Sequence, residues 1–263
     1  MWPENYKCAV ALTFDLDIET PWIADDPGII GRPFVLSMAR YAPRVAVALI
    51  LSTLDSLEVT STFFIPGKSA EQYPETVEAI FAAGHEIGVH GYTHDSPSSL
   101  SPEEEEAQLQ RTKEILGKFG ADVVGYRAPL YEISDRTMPL LKKHGFRYSS
   151  NLMDDIRPYK HASTGIIELP VHWIMDDWVQ FSHDVDSALQ PNSTCAHVFQ
   201  LWMEEFQAIY DLGGLFVLTM HPQVIGRPSR VRMLTDLITE FKSQEDVWIT
   251  TCDSIARHVH QSE

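Results

Sequence analysis

Cys8-Ala-Val-Ala-Leu-Thr-Phe-Asp-Leu-Asp17 decides the fold and, at its end, the chemistry. An uncharged, mostly apolar run from Cys8 to Phe14 stops at a pair of carboxylates. Such a run suits a strand buried on both faces, the condition of a strand inside a parallel sheet. Strand residues two apart point to the same side. Asp15 and Asp17 therefore face one pocket, with Leu16 turned away. Crowded like charges raise the pKa of one carboxylate unless a cation sits there. A metal ion on Asp17 would relieve the repulsion and leave Asp15 free as a base. The plainer alternative is a solvated acidic strand end.

Seven further strands follow from the same kind of reading: 59–66, 85–90, 123–127, 146–149, 165–171, 215–220 and 247–251. Between them lie helical patterns at 37–56, 74–83, 102–119, 135–144, 194–212 and 229–242, with a last helix from Asp253. Ser101 is placed to cap the third of these, Pro102 suits its first turn, and Glu103 to Glu106 read as its solvated face. Residues 21–36, rich in Pro and Gly, read as a long loop. Residues 151–193, rich in Asp, His, Trp and Pro, read as functional loops around one strand. Alternating strands and helices with no linker or repeat predict a single α/β domain over residues 1–263, most simply a barrel of seven or eight parallel strands.

In a barrel the chemistry sits at the C-terminal strand ends. Asp15, Asp17, His90, Arg127 and His221 all fall near such ends. His90 and His94 lie four apart, so their rings converge if the chain turns helically after Gly91. Imidazoles suit zinc, cobalt or nickel. With Asp17 they make a three-ligand shell that leaves a position open. The alternative is one hydrogen-bonded core His and one surface His. His85 lies upstream as a structural neighbour. Arg127 could hold Asp15 ionised, and His221 is a candidate general acid. Asp176 could fix the tautomer of His221, a role that spacing does not reveal. There is no nucleophile elbow, P-loop or dinucleotide fingerprint.

The chain has 263 residues and a net charge of -17, with 37 acidic against 20 basic side chains. No basic stripe is available for nucleic acid or anionic lipid. A polyanionic partner is therefore not expected. Three widely spaced Cys (Cys8, Cys195, Cys252) do not make a disulfide framework. The start lacks a signal-peptide pattern, and the longest apolar run, Val45 to Leu51, is short for a span. A reducing, cytoplasmic setting is expected.

Assembled in order, these residues resemble the polysaccharide deacetylase family, carbohydrate esterase family 4 with its NodB homology region. Thr13-Phe-Asp-Leu-Asp17, His90-Gly-Tyr-Thr-His94, Arg127-Ala-Pro-Leu-Tyr131, Asp176-Asp-Trp178 and Leu218-Thr-Met-His221 are similar to its five motifs. The resemblance implies a distorted (β/α) barrel and one divalent metal ion, usually zinc, with Co2+, Ni2+ or Mn2+ as alternatives. It implies that Asp17, His90 and His94 bind the ion and that Asp15 is the base, oriented by Arg127. It makes His221 the acid, with Asp176 as its partner. The Tyr131 backbone amide would help hold the oxyanion, and Trp178 would line the substrate pocket. Leu16 between the aspartates and Gly91 after the first His depart from the usual pattern. They are similar to a subgroup containing intracellular peptidoglycan-deacetylase-like proteins and cyclic imide hydrolases, for which a homotetramer is implied. The expected reaction is release of acetate from N-acetylated sugars by metal-activated water. Opening of a small cyclic imide by the same chemistry is the alternative. An inactive metal- or sugar-binding protein is the reading from another class.

Overall fold

The structure, a computed structural model, describes residues 1–181 and 193–262. Its nine strands are β1 (Cys8–Asp15), β2 (Thr62–Ile65), β3 (Glu86–Val89), β4 (Gly125–Tyr126), β5 (Tyr148–Ser149), β6 (Tyr159–Lys160), β7 (Ile167–Glu168), β8 (Leu215–Met220) and β9 (Val247–Ile249). They form one sheet in the order β6-β7-β5-β4-β3-β2-β1-β8, with β9 beside β1. Every pairing is parallel except β6 on β7. The eight parallel strands are the eight read from sequence; β6 is a short antiparallel addition within the expected loop region.

β1 is the axis of the sheet. Its first residues pair with β9 (Cys8 to Val10), its last with β2 (Thr13 to Asp15), and its other edge with β8 (Ala9 to Phe14). All of β1 is buried. Val10, Leu12 and Phe14 pack outward with helix residues such as Ile50, Leu54 and Phe241. Ala9 and Ala11 belong to a separate inner cluster with Tyr148, Val217 and Cys252. The same inward series continues through Thr13 to Asp15, so the filled base of the barrel gives way to its chemistry one layer at a time.

The sheet curls without closing. β8 ends one side of it and the β6–β7 pair ends the other. Among the described residues, the chain after β7 returns to β8 through a single parallel bridge, Asp176 to Thr219. That bridge sits at the catalytic end and makes the barrel the distorted one expected.

Two segment readings change. Residues 21–36 are not a loop. Helices Thr20–Asp25 and Pro33–Ala39 flank a 3-10 turn at Pro27–Gly31, and a π turn at Ala42–Ala46 leads into helix Val47–Ser56. Pro21, Pro27, Pro33 and Pro43 each occupy a helix start, where a missing N–H costs nothing. By length and hydropathy Pro33–Ser56 could cross a bilayer, although Val35, Leu36, Ile50 and Leu54 on it are buried. The helix Pro102–Gly117 begins with the expected cap, and Ser101 and Glu104 form a capping box. Glu105, however, is buried and accepts from the hydroxyls of Ser134 and Thr137 and from Arg136, so only part of the acidic run faces solvent.

Candidate active site

Asp17, His90 and His94 converge just beyond β1 and β3. Their donor atoms lie within 4.8 Å of one another. His90 Nε2 is 3.4 Å from Asp17 Oδ1, and His94 Nε2 is 3.8 Å from Asp17 Oδ2. The rings meet by a route other than a helical turn. Gly91 has φ +66° and His94 itself φ +69°, and these two left-handed residues fold the chain back. A Cβ on Gly91 would lie 3.0 Å from Pro129 Cγ, so glycine is favoured both by its backbone and by its neighbour.

The electrostatics suit a cation. Burial pushes both His90 and His94 down to about 3, so both imidazoles are neutral and carry a free lone pair. His90 Nδ1 donates to the Arg127 carbonyl at 2.9 Å, which turns Nε2 toward Asp17. Burial, opposed by His221 and reinforced by the Asp15 charge, raises Asp17 to about 7. Its Oδ1 is buried with no hydrogen-bond partner. An orphaned carboxylate oxygen facing two neutral imidazoles is a donor set that fits a divalent ion.

Asp15 is held from behind. The wholly buried Arg127 guanidinium donates through Nη1 to Asp15 Oδ1 at 2.9 Å and to Thr13 Oγ1 at 2.8 Å. It donates through Nη2 to Ser150 Oγ at 3.0 Å and through Nε to the Ser150 carbonyl at 3.3 Å. Asn151 Oδ1 accepts the Ala128 N–H at 2.7 Å, and Glu168 Oε1 accepts the N–H groups of Asn151 and Leu152 at 2.7 and 2.9 Å. The chain after β5 thus clamps the segment that carries Arg127. The other Asp15 oxygen, Oδ2, lies 3.8 Å from His90 Nε2.

His221 closes the opposite side at the end of β8. Its Nε2 is 3.6 Å from Asp17 Oδ2. Its partner is Asp177 and not the expected Asp176: Nδ1 donates to Asp177 Oδ1 at 2.7 Å, and the His221 N–H donates to Asp177 Oδ2 at 3.0 Å. Asp176 Oδ1 is 4.0 Å from that nitrogen. Asp176 instead accepts from Tyr131 Oη at 2.7 Å and from the Trp178 N–H at 2.8 Å, because the 3-10 turn Trp173–Met175 ends there and the next residue faces His221. Burial works against the His221 charge, but Asp177, joined by Asp176 and Asp17, outweighs it and raises His221 to about 10. Burial in turn raises Asp177 to about 6.

The Tyr131 amide is also placed differently from expectation. It donates to the Ala128 carbonyl at 3.0 Å within a tight turn, while its side chain lines the pocket. Trp178 meets His221 edge-on at 5.1 Å and Trp22 at 5.3 Å. The cavity above the triad has a volume of about 310 Å³, and Leu130, Trp173 and Trp178 are among the residues that line it. That is near the lower end for small-ligand sites.

Residues 32–149 match the polysaccharide deacetylase family. A crystal structure from Mycobacterium smegmatis, of a protein assigned to the polysaccharide deacetylases, is 41% identical; the match covers 100% of this chain and 93% of that one, with a TM-score of 0.97. This chain belongs to the polysaccharide deacetylase family. The Helicobacter pylori peptidoglycan deacetylase is 28% identical over 92% of each chain. The Puue allantoinase shares the fold at a TM-score of 0.87 and 22% identity, over 100% of this chain and 93% of its own. Membership makes the protein a polysaccharide deacetylase-like hydrolase of carbon–nitrogen bonds other than peptide bonds.

Within this deacetylase site, sequence reading missed Asp177, Ser150, Asn151 and Glu168. Asp177 adjoins the residue chosen, and only the local turn separates them. Ser150 and Asn151 follow directly on the strand 146–149, and strand-end position was the available signal.

Proposed function

We propose that the protein releases acetate from N-acetylated sugar units, using a divalent ion held by Asp17, His90 and His94. Two imidazoles and one carboxylate favour zinc, with cobalt, nickel and manganese as alternatives. When bound there, such an ion acidifies water and polarises a carbonyl oxygen. Asp15, aimed by Arg127, accepts a proton as water adds to the amide carbon. His221 passes its Nε2 proton to the nitrogen as the carbon–nitrogen bond breaks, and Asp177 steadies the ring through Nδ1. The products are acetate and an amine. The observation that carries this reading is the placement of base and acid: Asp15 approaches the triad beside His90, and His221 approaches it beside Asp17.

A second reading is the opening of a small cyclic imide in a cytoplasmic setting. It is favoured by the small cavity and its aromatic lining, and it is compatible with three cysteines that are all free thiols. The exposed apolar rim at Leu130 and Trp173 supports assembly of subunits around their entrances, as in a tetramer, which solution mass would report. The deciding experiment offers the metal-loaded protein N-acetylglucosamine oligomers and succinimide side by side. Acetate release supports the first reading and ring opening the second. Turnover that survives Asp15→Asn or chelation would refute the mechanism for both, and no turnover of either would favour a binding protein.

A further inference from the structure

A second cavity of about 370 Å³ lies on the far side of the Trp22–Trp178 pair. Trp178 lines both cavities, so one indole forms part of the partition between them. The second is walled by Trp22, Tyr41 and Trp178 and carries Gln223, Arg227 and Arg230. Neither guanidinium has a carboxylate within ion-pair distance among the described residues, in a chain with 37 acidic and 20 basic side chains. Arg227 lies 4.4 Å over the Tyr41 ring. Arg230 lies 4.2 Å over Phe181 and donates to the Val224 carbonyl at 2.8 Å. Gln223, two residues after His221, is 9% exposed, and among the described residues neither its Nε2 nor its Oε1 has a hydrogen-bond partner. A buried primary amide with both ends unused lacks a ligand or a water. Arg230 also donates to the Phe181 carbonyl at 3.5 Å, but among the described residues neither cation on its aromatic face has a carboxylate partner, so the cavity is suited to an anion.

We propose that this cavity binds a small carboxylate that also carries an amide, with Arg227 and Arg230 facing the carboxylate and Gln223 the amide. Ring opening of a cyclic imide yields a molecule of that description, a half-amide, one partition away from where it forms. Its assignment as product rests on the imide-opening reading. The anion site itself does not, since it is defined by residues outside the reacting set.

Succinamate is the probe, titrated into metal-loaded Asp15→Asn protein and followed by tryptophan fluorescence from the cavity wall. Binding should saturate and weaken roughly tenfold in Arg227→Gln and in Gln223→Met, each introduced on that background, the equivalent of about 1.4 kcal/mol. Acetate, which has no amide for Gln223, should bind more weakly. Unchanged succinamate affinity in both variants would overturn the site. So would binding that disappears only with His90→Ala, because that places the ligand at the metal triad. Failure of the imide-opening reading appears elsewhere, as wild-type, metal-loaded protein that leaves succinimide unopened.

Discussion

The choice of Asp177 over Asp176 as the neighbour of His221 has a direct consequence for pH. A His whose folded pKa lies near 10 stays protonated through neutrality and loses its proton only as pH rises through that value. Asp177→Asn removes the largest of the charges that oppose burial, so the pKa of His221 falls. The alkaline limb of kcat/KM should then move to lower pH, and an unmoved limb would clear His221 of the acid role. The raised pKa of His221 contributes stability that is complete below about 6.5 and lost as pH rises toward 10. In the variant that part of the decline should flatten. Asn151 acts at one remove: it holds Ala128, whose neighbour Arg127 aims Asp15. Asn151→Ala should lower kcat about 10- to 100-fold with little change in KM, since it misplaces a base without touching substrate. A change confined to KM would contradict this. Asp15 and Asp17 were legible because strand alternation is strict. Asp177 and Asn151 were not, because the turn after Val171 and the exit from β5 have no period to read.

At the scale of elements, the second histidine reaches the site through backbone conformation. Gly91→Ala forces a β-carbon into left-handed backbone and against Pro129. A loss of about 1–2 kcal/mol is expected in chemical denaturation, together with weaker metal binding as His94 swings away. Stability within a few tenths of wild type would show that the turn relaxes freely. Sequence reading anticipated convergence of His90 and His94 but assigned it to a helical turn, since spacing alone does not distinguish the two routes. The same limit explains residues 21–36. Prolines at helix starts and prolines in loops look alike until the flanking turns are seen.

For the whole molecule, the eight parallel strands were legible because both-face burial leaves long apolar runs, as in β1 and β8. Curling without closure was not, since it depends on which edge remains unpaired. The assembled site predicts how metal and fold are linked. With Asp17 raised to about 7 in the metal-free protein, binding below that pH must displace its proton. Zinc affinity should therefore rise as pH climbs toward 7 and level off above it, with proton release measurable by calorimetry in two buffers. Ion at about a hundred times its Kd should add about 2.7 kcal/mol, seen as a higher Tm that Asp17→Asn abolishes.

The single bridge between Asp176 and Thr219 divides the catalytic end into two mechanical halves. Asp15 ends β1, and Asp17, His90 and Arg127 follow closely on β1, β3 and β4, strands laced to one another along the sheet. Asp177 enters beside His221 from the chain that crosses the seam. Partial unfolding should begin along that seam, where the fewest backbone bonds need to break. In mild denaturant the enzyme should stop working while it still holds its metal, and amides at residues 172–178 should exchange with solvent before those of β1.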